Sequence, residues 1–282
     1  MKKSTKIILM TSICLISVGI VFSTIGFFTG ASPSSIILNG LWNWGFTYQN
    51  GGNYDNDFEE NNTYHISDEA IDSLDVDWIS GNVSVVPYDG DDIIIREKSR
   101  TKIDDENCLR YRINGSTLEI YYLKEARISL SGSSFNYSKQ LQVKIPRRMA
   151  DNMDELNFDA VSSDLSVRDM NLSSVDIDTT SGNFAAKDAA IRSVEMNTVS
   201  GDLRLQLTNC PRELDFKSTS GDCILTLPKG SSLTAEFDTV SGDFSTDFNT
   251  RFDDDEYIIG NGKNEFSVGT VSGDFIINKA IK

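Results

Sequence analysis

The chain has 282 residues, with 26 Lys and Arg against 42 Asp and Glu, a formal net charge of −16, five prolines and one histidine. A protein of this charge does not bind nucleic acid by displacing counterions from phosphates, and one histidine leaves little room for His-based zinc sites or His-dependent acid–base catalysis. With 39% hydrophobic and 10% aromatic residues the chain can bury a core, and its length suits one long domain or two small ones.

Lys2, Lys3 and Lys6 are the only charges before Asp55. They make residues 1–6 a cytoplasmic tip ahead of residues 7–28, 22 positions without a charge. As a helix that stretch covers roughly 33 Å, against a hydrocarbon core of about 30 Å. The flanking lysines hold the N-terminus inside. The expectation is a single-pass cell-membrane protein, anchored in the cytoplasmic membrane by this helix, whose C-terminal domain is extracytoplasmic. Thr29-Gly30-Ala31 is a passable cleavage site, but the apolar stretch exceeds the roughly 7–15 residues of a signal peptide core. Residues 29–62, with Asn50-Gly51-Gly52-Asn53 and no lasting apolar period, read as a flexible stalk. Trp42, Trp44, Phe46 and Tyr48 alternate just outside the helix in the manner of an interfacial aromatic belt.

Residues 63–145 read as a less regular β cap. Leu74, Val76 and Trp78 alternate, as do Val83 and Val85, and Arg110 to Ile120 forms a hairpin pattern around Asn114-Gly115. Leu141-Gln142-Val143-Lys144-Ile145-Pro146 is a strand closed by proline. Cys108, Cys210 and Cys223 are an odd set whose spacing matches neither a zinc site nor a CxxC redox site, so they read as small buried residues.

Residues 146–282 carry an internal repeat. The triplet Ser-Gly-Asp/Asn recurs as Ser181-Gly182-Asn183, Ser200-Gly201-Asp202, Ser220-Gly221-Asp222, Ser241-Gly242-Asp243 and Ser272-Gly273-Asp274, with Ser162-Ser163-Asp164 as a degenerate copy and Ser80-Gly81-Asn82 as an isolated one. From Ser162 the steps are 19, 19, 20, 21 and 31 residues. Apolar residues alternate on both sides of each triplet, as in Leu203, Leu205, Leu207 after one and Leu214, Phe216 before the next. Two half-buried strands per repeat of ~20 residues predict an all-β, parallel β-solenoid of six coils, β-helix-like, stacked about 4.8 Å apart in chain order.

The triplet marks the coil corner, where glycine would supply a positive φ and Asp or Asn would bond to nearby backbone N–H groups. Threonines before it (Thr179, Thr198, Thr219, Thr239, Thr270) suggest a hydroxyl ladder. Stacking also aligns Asp164, Asp202, Asp222, Asp243 and Asp274 in one column with Asn183. Neighbouring charges there repel by roughly 0.9 kcal/mol in water and about 3.5 kcal/mol at an effective dielectric of 20. Backbone N–H donation is the expected relief, and calcium between coils the weaker alternative. The acidic run Asp253-Asp254-Asp255-Glu256 lies in an insertion between Phe248 and Phe266, which is expected to protrude and is the candidate partner loop. Phe275-Ile276-Ile277 would form an open edge guarded only by Lys279 and Lys282.

The strand before Pro146, the step into Ser162-Ser163-Asp164, and Thr198-Val199-Ser200-Gly201-Asp202 with its relatives resemble the bacterial putative-adhesin family of unknown function, over roughly residues 66–278. The resemblance implies a β-solenoid surface domain behind a membrane helix and supplies no catalytic residues; the departures are Ser163 in place of glycine and the long last step. No HExxH, nucleophile elbow, P-loop or strand-linked GxGxxG is present. The reading is therefore a non-enzymatic, membrane-anchored cell-surface scaffold, adhesin-like, with no cofactor and with envelope glycans or another membrane protein as partner. An accessory sensor of the envelope stress response is the first alternative. A polysaccharide-acting β-helix enzyme is the second, although the outward residues Arg204, Gln206 and Thr226 form no acidic or basic cluster.

Overall fold

A computed structural model describes residues 59–67, 70–105, 107–122 and 139–281. The apolar segment 7–28 and most of the expected stalk lie outside these residues. Among the described residues no helix is long and apolar enough to cross a membrane.

The described chain is all-β apart from the single turn Arg147–Ala150, which follows Pro146. Its strands form two stacks joined at the triplet corners. Sheet B holds the strands that enter each triplet, and sheet A holds those that leave it. Along both sheets the pairing is parallel over eight levels, a solenoid-like arrangement about 34 Å tall at the usual strand spacing. The alternation dictates this. Leu203, Leu205 and Leu207 point inward with Arg204 and Gln206 outward, so each coil buries one face against the opposite sheet. One continuous core results, from Ile66 to Ile277.

Two levels more than expected come from the region read as an irregular cap. Strands Ser73–Ser80 and Val83–Tyr88 make a regular coil stacked directly on the coil of Ser162. Thr117–Tyr121 and Lys139–Pro146 make the level beyond it. Antiparallel strands then close this end: Ile93–Ser99 and Glu59–Ile66 on sheet A, Arg110–Asn114 on sheet B. The first of these strands begins four residues inside the segment read as stalk.

Chain order and stacking order also part company at the other end. Strands Asn264–Ser272 and Phe275–Lys279, the last in sequence, insert between the coil of Ser220 and the coil of Ser241. Phe275–Lys279 is therefore an interior strand, with Phe275 and Ile277 fully buried, and not the open edge expected. The terminal coil is that of Ser241, and the insertion pairs with it instead of protruding: Glu256–Ile259 runs antiparallel to Leu233–Ser241, and Thr250–Asp253 runs antiparallel to Glu256–Ile259. On sheet A the terminal strand is only Phe244–Thr246, a short edge of the kind that limits unwanted pairing.

The corners explain the repeat. A Cβ built on Gly201 would lie 2.0 Å from the Gly182 carbonyl oxygen; Gly182, Gly221, Gly242 and Gly273 meet a neighbouring coil's carbonyl at 1.9–2.1 Å. Close approach of backbones, more than positive φ, is what requires glycine. Among these five corner glycines only Gly182 has φ in the positive range, at 153°. The aspartates bond across coils as well. Oδ1 of Asp164 accepts the Asn183 N–H at 2.8 Å, Asn183 Oδ1 accepts that of Asp202, Asp202 that of Asp222, Asp222 that of Asp274 and Asp274 that of Asp243, each at 2.9 Å. The hydroxyl ladder consists of Thr179, Thr198, Ser218, Thr270 and Thr239, with Ser218 where Thr219 was expected. Their hydroxyls are buried without a hydrogen-bond partner, and those of Thr198, Ser218, Thr270 and Thr239 lie against the corner glycines. Opposite these corners, Asp169 and Asp188 turn the chain with φ of 49° and 53°.

Among the described residues the three cysteines are free; Cys108 and Cys223 are buried, as expected, whereas Cys210 is only half-buried at the edge of the core. The N-terminal end hides one feature no motif announced. Lys139 and Glu97 form a fully buried ion pair at 2.8 Å, and the Lys139 ammonium also donates to the carbonyls of Asn107 and Tyr122. The Leu109 N–H donates to Glu97 at 3.0 Å.

Two expected outcomes follow from this packing. Gly201→Ala should cost about 2–4 kcal/mol and lower the melting temperature by at least about 5 °C, whereas Gly230→Ala, which meets nothing within 4 Å, should leave it unchanged. Glu97→Gln, which strands the Lys139 charge in the core, should cost about 3–5 kcal/mol by denaturant titration.

Candidate functional site

The triplets expected to matter come together along one corner. Ser200, Ser220, Ser272 and Ser241 stand in register, and with Gly201, Asp202, Gly221, Asp222, Gly273 and Asp274 they line a groove of about 410 Å³. Its lining is backbone, hydroxyl and carboxylate. Asp202, Asp222 and Asp274 each spend Oδ1 on the next coil's N–H, which leaves the second oxygen for other partners, whereas Asp243, on the terminal coil, has no next coil to bond; the second oxygen of Asp202 meets the Arg204 guanidinium at 2.7 Å. These second oxygens at Asp202, Asp222 and Asp274, with the carboxylate of Asp243, are the atoms with which the column could hold a cation. The other expected contact, Asp253 to Glu256, is the tip of the terminal hairpin. Asp254 and Asp255 there adopt φ of 46° and 67°, the left-handed pair of a tight two-residue turn.

A larger acidic feature lies on the outer face of sheet B. Parallel in-register stacking turns each outward position into a row across the sheet. One row runs from Glu119 through Asp75, Asn157, Asp176, Glu195 and Asp215 to Ser267 and Glu236. The next runs from Tyr121 through Asp77, Asp159, Asp178, Asn197 and Lys217 to Gly269 and Asp238. Carboxylate oxygens of Asp75, Asp77 and Asp159 lie within 4.8 Å of one another, the tightest such group among the described residues and the one best placed to share a cation.

Crowding on this face shifts the acids upward. Loss of water around the carboxylate, together with the charges of Asp77, Asp178, Asp75 and Asp176, pushes Asp159 up to about 7. Desolvation and then Asp75 and Glu119 bring Asp77 to about 6, and desolvation with Glu195, Asp178 and Glu155 does the same for Asp176. Glu119 goes the other way, to about 2, because Arg112, Tyr121 and Asn114 all donate to it.

The outer face of sheet A has the opposite character. Its eight parallel strands place Lys144, Arg168, Lys187 and Arg204 outward beside Gln142, Gln206, Thr226 and Asn278, and no carboxylate. Arg204, Gln206 and Thr226 thus lie where the alternation placed them. The acidic face was missed because it exists only across strands: Asp75 and Asp77, Asp176 and Asp178, and Glu195 are scattered in sequence. The recoverable signal was the acid alternating with apolar residues before each triplet. His65 sits on the edge strand, 3.8 Å from Asp92.

The Toastrack DUF4097 family profile matches residues 68–278. No curated protein sequence matches the chain. Solved structures similar to it include a putative cell adhesion protein from Clostridium sporogenes, 11% identical, with a TM-score of 0.47 over 79% of this chain and 100% of that one. A putative adhesin from Bacteroides fragilis is 10% identical, with a TM-score of 0.41 over 77% of this chain and 96% of that one. A putative lipid binding protein from Parabacteroides distasonis is 14% identical, with a TM-score of 0.36 over 79% and 96%.

The raised acids set a pH dependence. A carboxyl whose folded pKa exceeds its unfolded value near 3.8 binds its proton more tightly in the folded state, so the stability it contributes is complete below that value and is lost as the pH rises through 6 to 7. The melting temperature should therefore fall between pH 5 and pH 8 at low salt. Asp159→Asn should raise it at pH 8 and flatten the profile.

Proposed function

The chain belongs to the Toastrack DUF4097 family, and from that premise we propose that it is a non-enzymatic interaction scaffold, adhesin-like, held at the outer surface of the membrane by residues 7–28. The observation that carries this reading is the charge-divided solenoid-like stack. Two rows of carboxylates, spaced by the strand repeat, cover the outer face of sheet B, while sheet A turns basic side chains outward. A rigid, regularly charged face recruits an oppositely charged surface from a distance and fixes its register. The face suits a cationic patch on a second envelope protein or an amine-bearing envelope glycan. The raised pKa values of Asp159, Asp77 and Asp176 come first from desolvation and then from neighbouring carboxylates, and a nearby cation would relieve that second, repulsive part.

Protease added to intact cells should degrade the full chain to a short membrane-held stub if the domain faces outward. Partners captured on the full chain from solubilised membranes should be retained at low salt and released at about 0.5 M salt, where the screening length is only a few ångström. Asp159→Asn with Asp176→Asn and Glu195→Gln should lose them, whereas Arg204→Gln should not. Capture indifferent to both salt and the triple variant would discard the acidic face as the contact surface.

A further inference from the structure

The two ends of sheet B match each other. At the N-terminal end the outermost described strand is Arg110–Asn114, paired only with Thr117–Tyr121; at the C-terminal end it is Thr250–Asp253, paired only with Glu256–Ile259. Each leaves one backbone edge unpaired among the described residues, and each shows large apolar side chains to solvent. Ile113 is 42% and Tyr111 37% exposed at one end, and Phe252 is 59% exposed at the other. These are inward-facing positions. Ile113 pairs with Leu118 and through it with Leu74, and Phe252 pairs with Tyr257 and through it with Ala235. They are exposed because the stack, and with it the core, ends there.

Following the register across the sheet shows that the ends agree row by row. The inward row that starts at Phe252 and Ala235 continues through Leu214 and Leu74 to Ile113. The outward row beside it starts at Asp253 and Glu236 and ends at Glu119 and Arg112. A second copy shifted along the stacking axis would therefore set its Ile113 level with Phe252 and its Arg112 level with Asp253. Thr250–Asp253 runs parallel to the stack and Arg110–Asn114 antiparallel to it, so the new pair would be an antiparallel one. The acidic turn Asp254-Asp255 would stand at the level of Arg110.

We propose that copies of this chain associate head to tail, with Thr250–Asp253 of one copy pairing with Arg110–Asn114 of the next so that the core continues through Phe252 and Ile113. Opposite charges at the two ends favour this contact and disfavour pairing of like ends, where acid would meet acid or arginine would meet arginine. Because the contact is heterologous, it propagates into open strings unless something caps it.

The test uses the full chain in detergent. Two populations with different tags, one carrying Phe252→Cys and the other Ile113→Cys, are mixed and oxidised, with the wild-type chain as the control for the native cysteines. A cross-linked hetero-pair is expected, with little Phe252→Cys self-pairing. The wild-type chain should also sediment as a concentration-dependent series of species. Asp253→Arg should weaken association by about tenfold. Combining it with Arg112→Asp should restore association while the melting curve shows the fold intact. A single monomeric species at all concentrations, Phe252→Cys pairing only with itself, or a double variant that folds and does not recover would each overturn the proposal.

Discussion

The structure depends on how closely one coil's backbone approaches the next at the corner. The carbonyl oxygen of one triplet occupies the place where the next triplet's Cβ would be at Gly182, Gly201, Gly221, Gly242 and Gly273, so glycine is required at these five corners. That contact fixes the level of each coil and lets the aspartate of one coil accept the N–H of the following one. A column of like charges becomes tolerable because the carboxylates of Asp164, Asp202, Asp222 and Asp274 each face a backbone donor. From that register the rest follows: inward leucines and valines align into one core, and outward acids align into rows.

The same register separates two kinds of charge that the composition merges. Net charge alone describes a uniformly acidic molecule. In the fold, part of the acid is structural, at the corners. Part covers the outer face of sheet B, where desolvation and then neighbouring carboxylates raise the pKa. The outer face of sheet A is neutral to basic. A surface organised this way has a direction, which a diffuse excess of aspartate would not.

Local alternation and the triplet spacing made the strands, the corners and the core residues readable, because both depend on neighbours within one repeat. The stacking order was not readable. The last triplet follows a 31-residue step, and nothing in Phe275–Lys279 distinguishes a terminal strand from one inserted between two others. The Ser80 triplet was visible, but the long segment before Ser162 hid its place in the stack. The Lys139–Glu97 pair joins residues far apart in sequence, and each alone resembles an ordinary surface charge. The acidic face escaped for the same reason, being a product of pairing between repeats.

Insertion of the last coil between its predecessors changes what kind of repeat protein this is. An ordinary solenoid is modular: units can be lost from its end, and the remainder keeps its neighbours. Here the coil of Ser241 is made before the coil that separates it from Ser220. During synthesis it can pair with Glu256–Ile259, but it has no neighbouring coil to stack on until Asn264–Ser272 and Phe275–Lys279 emerge. Losing the C-terminal 19 residues would remove no outer layer; it would open a gap inside the stack. The order of assembly thus binds the coils of Ser220, Ser272 and Ser241 into one cooperative unit, and the chain cannot grow by simple duplication of its last repeat.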